Sequence, residues 1–305
     1  MKRFLYVTIV LACSFMSYAQ STTPSEHLNI DLSLKVIKAH NVTHITIPFK
    51  ENPKRNKVPL DYWSPKKHNP FKEHLITYPF KITFNDTTFH SPIRRNKVIT
   101  SRYGWRRGRA HKGIDIDLIT GDSVFAVLDG VVRLSKYSGG FGRAIVIRHE
   151  NHIETTYAHL SKLVVKPNDL VKKGQLIGFG GNTGRSRGSH LHFEMSYYGV
   201  AINPEYFFDF DASNKIKANT LWVTQKWTQP LFHNSRKPSK IELLTSESDA
   251  LNSLQKKPQL YIVKRGDTLS EISRKTQIPM AAICKLNKIK RHSTLRIGQR
   301  LIIAI

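Results

Sequence analysis

The chain has 305 residues, with 48 Lys+Arg against 22 Asp+Glu and a formal net charge of +26. At 40% hydrophobic and 10% aromatic residues it can bury a core, which excludes a wholly disordered polyelectrolyte. Beyond the first residues no apolar run approaches the ~20 needed for a spanning helix, and two cysteines, Cys13 and Cys284, exclude a disulfide-stapled scaffold. The length suggests two small domains, or one with long appendages. The excess of positive charge points to a polyanionic partner: nucleic acid, an anionic membrane surface or an anionic cell-wall polymer.

The chain opens with Lys2 and Arg3, the apolar stretch Phe4 to Met16, and Ser17-Tyr18-Ala19 with small residues at its first and third positions. This is the three-part layout of an export signal, predicted at 1–19 with cleavage after Ala19. Val10-Leu11-Ala12-Cys13 loosely resembles a lipid-attachment box, so anchorage through Cys13 is the alternative; either way Cys284 has no intrachain partner.

Residues 20–90 carry no assigned chemistry. Leu28 to Val36 and His44 to Phe49 have strand-like patches, and Asn52 to Pro70, rich in Pro, Lys and Asn, reads as loop. His27, His40, His44 and His68 lie there without paired spacing and read as surface residues. The texture changes over 91–208, where short β-rich runs alternate with glycine turns: Val124 to Val132, Ala144 to His149, Ile153 to His159, Gln175 to Phe179 and His190 to Met195. Such spacing predicts a mainly antiparallel β fold. Residues 209–258 are polar with scattered Trp and read as a linker or strap. The last unit, 259–305, reads strand, helix, helix, strand. Thr268 with Glu271 forms a capping box, Leu269 and Ile272 give an apolar stripe, and Pro279 suits the first turn of the second helix.

Two short patterns carry the chemistry. In SHLHFE, residues i and i+2 of a strand share a face, so His190 and His192 project together while Leu191 and Phe193 face the core. In HKGIDID, His111, Gly113 and Asp115 share one parity and Ile114, Ile116 and Leu118 the other. A catalytic zinc commonly takes three protein ligands from His, Asp and Glu and keeps one position open. His111, Asp115 and one histidine of the HLH pair supply that set, and the remaining one is left for proton transfer. A further histidine, His159, stands on the strand-like run Tyr157-Ala158-His159-Leu160.

Residues Ile99 to Phe207 resemble the lysostaphin-type zinc endopeptidase family of bacterial cell-wall hydrolases. The matching blocks are Thr100 to Gly104 with Arg106, HKGIDID, Ala126 to Val132, YAHLSKL, the Gly174 to Gly181 turns, GNTGRSRGSHLHFEM and Asn203-Pro204, in the family's order. The resemblance implies a duplicated-hybrid-motif-like catalytic domain whose antiparallel sheets form a groove. It implies a zinc cofactor held by His111, Asp115 and His192, with His159 and His190 as catalytic non-ligands, and hydrolysis of peptide bonds in peptidoglycan. Asp117 to Thr120 departs from the small residues and proline often found there, which bears on the groove edge. Arg185 and Arg187 lie in a loop where they can meet substrate carboxylates or simply be solvated. Residues 259–305 resemble a LysM module of α+β (βααβ) fold, through YIVKRGDTLSEIS, Leu286-Asn287 and STLRIGQRLII. That implies N-acetylglucosamine-containing glycan as a partner, with Gly266, Asp267 and Thr268 at the sugar groove. The expected whole is an exported, envelope-located endopeptidase. Its rival is a non-catalytic envelope regulator that activates another hydrolase. A nucleic-acid partner is disfavoured by the export signal and by the lack of a helix-turn-helix or RNA-binding aromatic signature.

Overall fold

The computed structural model describes 58–304 except 72, 73, 107, 212 and 256–258, and, nearer the start, the backbone of one hairpin. The export signal and the Cys13 alternative lie outside the described residues. The hairpin, β1 (Lys35–Ala39) with β2 (Val42–Thr46), belongs to a separate compact unit, Met1–Asn52.

The unit from Pro53 onward is built on one twisted antiparallel sheet. In chain order its elements begin with β3 (Phe80–Thr83), β4 (Ile99–Ser101), β5 (Gly104–Arg106), β6 (Arg109–His111), β7 (Ile114–Asp117), β8 (Ser123–Phe125), β9 (Gly130–Tyr137), β10 (Arg143–Arg148) and β11 (Ile153–Leu160). They continue through β12 (Lys162–Leu163), β13 (Leu170–Val171), β14 (Leu176–Phe179), β15 (His190–Tyr197), β16 (Val200–Ile202) and β17 (Thr220–Val223). The main sheet runs β13-β9-β10-β11-β15-β7-β4, with β16 also on β15, and a second sheet runs β12-β14-β8. The expected antiparallel β fold is therefore present. One run reads differently from the sequence. The apolar stretch Val124 to Val132 is not one strand, because the chain crosses from the second sheet to the main one between β8 and β9. Ala126 and Val127, in the crossing, are wholly buried, so burial continues from β8 through Leu128 although the strand does not.

The apolar face of the main sheet makes the core. Ile114, Ile116, Ile145, Ile147, Tyr157, Leu191, Phe193 and Met195 are wholly buried, each aliphatic one contributing roughly 1.5–3 kcal/mol. The opposite face is polar. There Glu154 on β11 sits between two fully buried guanidiniums, Arg133 and Arg148, with Arg133 Nη2 donating to Oε2 at 2.8 Å and Arg148 Nε to Oε1 at 2.8 Å. Removing one partner of such a buried set costs about 3–5 kcal/mol.

Residues 209–255 are not a free linker. β17 pairs with β3, Trp227 lies 4.0 Å from the Tyr206 ring in a stack, and Ile216, Leu221, Val223, Leu244 and Ala250 join the core of the main sheet. Two short helices, α1 (Gln225–Thr228) and α2 (Glu247–Leu254), complete this wrap.

The C-terminal unit has the expected order: β18 (Gln259–Ile262), α3 (Leu269–Thr276), α4 (Met280–Leu286) and β19 (Arg300–Ala304), with β18 and β19 antiparallel. Val263, Leu269, Ile272, Ile283, Cys284 and Leu301 form its own small core. The Thr268 hydroxyl accepts from the Glu271 amide at 3.1 Å, so the helix starts where the capping box placed it. Pro279 sits at the N-cap of α4, one position before the expected one.

Candidate metal centre

Four strands and two turns bring the histidines together. β15 pairs with β7 so that His192 faces Asp115 and Leu191 faces Ile116 across the ladder. The strand parity thus sends both polar side chains to one face and both apolar ones to the core. His111 reaches the same place by another route. It ends β6 in a hairpin with β5, and the chain turns at Lys112-Gly113 before β7 begins. Gly113 is required there, because a Cβ would stand 2.3 Å from the Phe193 carbonyl oxygen.

The three side chains are 4–8% exposed and converge on one point. His111 Nε2 lies 3.0 Å from Asp115 Oδ1 and 3.2 Å from His192 Nδ1, and that nitrogen lies 2.8 Å from the same oxygen. Ligands about 2.0–2.1 Å from a tetrahedral ion stand roughly 3.3 Å apart, close to this spacing. Among the described residues this is the one group of three or more His, Cys, Asp or Glu able to hold a metal ion.

The outer partners fix which atoms point inward. His111 Nδ1 donates to the Arg102 carbonyl at 2.8 Å, which leaves Nε2 as a lone pair. His192 Nε2 donates to Glu194 Oε1 at 2.9 Å, which frees Nδ1. Asp115 Oδ2 accepts from Arg106 Nη1 at 2.7 Å, and the same nitrogen donates to Ser101 Oγ at 2.8 Å. Burial raises the Asp115 carboxyl, but the neighbouring His111 and His192 imidazoles outweigh it and hold the group well below the usual carboxylate range. Two imidazole nitrogens and one carboxylate oxygen, each residue held by a second contact, are the donor set that fits a zinc ion.

His159 and His190 flank this triad without joining it. Their rings stand 4.8 Å apart, and the His159 ring is 5.7 Å from that of His192. His159 Nδ1 donates to the Thr183 carbonyl at 2.8 Å and His190 Nδ1 to the Gly188 carbonyl at 2.8 Å. In both rings Nε2 is therefore the nitrogen left for chemistry, and His190 Nε2 lies 3.6 Å from Asp115 Oδ1. His159 holds φ +63°, a left-handed backbone that costs a non-glycine residue on the order of 1 kcal/mol. Burial pushes its pKa down to about 4, so it is neutral at physiological pH.

All five histidine and aspartate residues expected from the sequence meet at this centre. Three contributors were not singled out. Glu194 was legible as the next residue on the His190–His192 face. Arg106 had no signal beyond its place in the motif, and Phe141, whose ring is 6.0 Å from His192, follows the Gly139-Gly140 turn, whose glycines suit a loop that walls a groove or an ordinary hairpin turn but do not mark the aromatic ring. Arg185 and Arg187 remain exposed in their loop. In the C-terminal unit the Asp267 carboxylate is committed to its own turn. Tyr261 Oη and the Lys264 amide donate to Oδ2 at 2.8 Å each, and Lys275 Nζ to Oδ1 at 2.8 Å. The Lys275 ammonium is the main reason its pKa falls to about 2.

The family model for peptidase family M23 matches residues 109–204, and that for the LysM domain matches 261–304. An uncharacterized metalloprotease of Haemophilus influenzae is 41% identical over 128 residues, 42% of this chain and 26% of that protein. The DD-carboxypeptidase/endopeptidase Mpg of Neisseria meningitidis is 43% identical over 112 residues, 35% of this chain and 26% of that protein. The catalytic domain of lysostaphin from Staphylococcus simulans is 33% identical, covering 37% of this chain and 92% of that domain, with a TM-score of 0.35. The chain spans about a quarter of the length of the curated relatives it matches. With the M23 match enclosing all five residues of the centre and a second match enclosing the βααβ unit, the chain carries a peptidase family M23 domain and a LysM domain.

Proposed function

We propose that this chain is a zinc-dependent endopeptidase that hydrolyses peptide bonds of peptidoglycan. The observation that carries the reading is the division of five side chains into two sets. Three have their ligating atoms within 3.2 Å of one another, each oriented by an outer partner, and two imidazoles stand beside them with Nε2 free. A zinc ion held by His111, Asp115 and His192 supplies Lewis-acid polarisation of a peptide carbonyl and a nucleophile available at neutral pH. The chain's own residues do the rest. His190, on the exposed edge of the triad, is placed to take a proton at Nε2 or to donate to a developing oxyanion. His159, neutral and locked by Thr183, is placed to share that work and to pass a proton toward the leaving amine. The presence of all five groups with their orienting partners disfavours the non-catalytic regulator. Digesting purified peptidoglycan with the protein and weighing the released muropeptides tests the reading. New peptide termini that appear only with zinc are expected, and an unchanged muropeptide profile would overturn it.

The LysM domain, in this reading, holds the enzyme to N-acetylglucosamine-containing glycan, with the Gly266-Asp267-Thr268 turn at the sugar. Because the Asp267 side chain is only 2% exposed and fully hydrogen-bonded, that turn would meet sugar mainly through its backbone and the Thr268 edge. The charge of +26 suits an anionic wall, and the layout of residues 1–19 suits export to the envelope. Shortening the chain to residues 1–258 is expected to weaken co-sedimentation with peptidoglycan sacculi. Equal sedimentation of the two forms would remove the glycan-binding role.

A further inference from the structure

The polar face of the main sheet does not end at the metal triad. Along β15 it continues from His192 through Glu194 to Ser196, and β11 places Ala158, Thr156 and Glu154 opposite those residues. The Arg133–Glu154–Arg148 cluster therefore shares the face of the ligands, roughly 13 Å farther along the strands. Beyond Glu154, both guanidiniums reach one stretch of chain. Arg148 Nη1 donates to the carbonyls of Pro59 and Asp61 at 3.0 Å each. Arg133 Nη1 donates to those of Ser64 at 2.7 Å and Lys67 at 2.8 Å, and Nη2 to that of His68 at 2.6 Å. The Arg148 guanidinium also lies 5.6 Å from the Trp63 ring centre and 4.9 Å from that of Phe71, which is 3% exposed. Charge-assisted bonds to backbone carbonyls fix a path whatever the side chains, so the cluster is a latch for residues 58–71.

That path ends over the metal ligands. The His68 ring, expected at the surface, stacks on Phe141 at 4.0 Å and 14°, and the Phe141 ring in turn lies 6.0 Å from that of His192, tilted by 45°. Phe141 is itself held. Its turn is tied to the loop that orients His159, with the Arg185 amide donating to the Gly140 carbonyl at 2.8 Å and the Arg143 amide to Thr183 Oγ1 at 2.9 Å. Strap and turn thus meet as an arch on the His192 side. The other side is open, since the His190 side chain is 20% exposed against 10% for His192 and 3% for His111. The arch also carries a hydrogen-bonding position, His68 Nδ1, which is buried without a partner among the described residues.

We propose that the arch of residues 58–71 and Phe141 closes one end of the substrate groove, so that His68 and Phe141 are specificity-determining residues that admit only a short peptide segment on the His192 side. The inference rests on the endopeptidase reading for its substrate, while the latch itself does not. Arg133, Arg148 and Glu154 act through the strap and are positioning residues.

The test uses the full chain and two synthetic peptides that share the scissile bond found by digestion, one lengthened by three residues on the amino side and one on the carboxyl side. The unaltered protein is expected to disfavour one of the two by tenfold or more in kcat/KM, chiefly through KM. His68→Ala and Phe141→Ala are expected to bring that ratio within about threefold of unity with zinc content unchanged. Equal use of both peptides by the unaltered protein, or a ratio that survives both substitutions, would overturn the proposal. So would a rise in kcat/KM on both peptides alike in the variants, because the strap would then be a lid. Amide hydrogen exchange judges the latch separately. Glu154→Gln, or Trp63→Ala if the first variant does not fold, should speed exchange across 58–71 at least tenfold while β9 to β11 stay protected, and unchanged exchange would refute it. Failure of the unaltered protein to cut any peptide would overturn the endopeptidase reading and the specificity claim together, leaving the exchange result to decide the latch alone.

Discussion

His111→Ala is expected to leave the purified protein with little or no zinc and without measurable peptidase activity. The three ligand atoms sit 2.8–3.2 Å apart, and loss of any one leaves two, too few for the three-ligand site that a catalytic zinc ordinarily occupies. The outer partners grade the effect. Glu194→Gln keeps the size of the side chain but not the charge that accepts from His192 Nε2, and such changes typically weaken metal affinity about 10–100-fold. Metal analysis after dialysis against a chelator of graded strength would separate the two. Stoichiometric zinc in His111→Ala would sink the ligand assignment, and a Glu194→Gln protein that holds zinc as tightly as the unaltered one would show that the carboxylate serves packing alone.

How far the sequence reached depended on whether the structure it encodes is local. His190, Leu191, His192 and Phe193 were legible because alternation along one strand fixes which side chains share a face, and β15 obeys it for its whole length. The LysM unit was legible because its capping box and apolar stripes lie within a few residues of one another. His111 and Asp115 were paired by parity, yet the chain turns between them, and the pairing survives because the turn at Gly113 returns His111 to the same point. What was not legible was long-range. Trp227, Leu221 and Leu244 are isolated apolar residues in a polar stretch, and only the strand Phe80–Thr83 and the ring of Tyr206, far away in sequence, give them a core. Residues 58–71 read as loop because they form no regular element. They are held by carbonyl oxygens, which every residue has, so no side-chain pattern in the strap announces the arrangement. The buried arginines that hold them were hidden in strands where the eye expects solvent-facing charge.

The same economy of parts gives the second large effect. His159→Ala and His190→Ala are each expected to keep zinc near one equivalent while kcat falls by about 10²–10⁴, the usual worth of a positioned proton-transfer group. Neither imidazole belongs to the triad, so their loss leaves the ligand geometry standing. Neither is a pillar of the fold, since His190 lies at the exposed rim and His159 occupies a backbone conformation, φ +63°, that opposes stability. A test of whether His159 acts in the neutral form would come from pH. Burial holds His159 at about 4, so activity that depends on its neutral form is present above that value and fades as the pH falls through it. His159→Gln should remove that dependence, because an amide can hydrogen-bond but does not titrate, while retaining more kcat than His159→Ala. Zinc content and kcat must be measured on the same preparations. Zinc lost together with activity in His190→Ala would make that residue a fourth ligand and the centre a closed, structural one. Full activity in both alanine variants would mean that the triad and its open coordination position suffice without them.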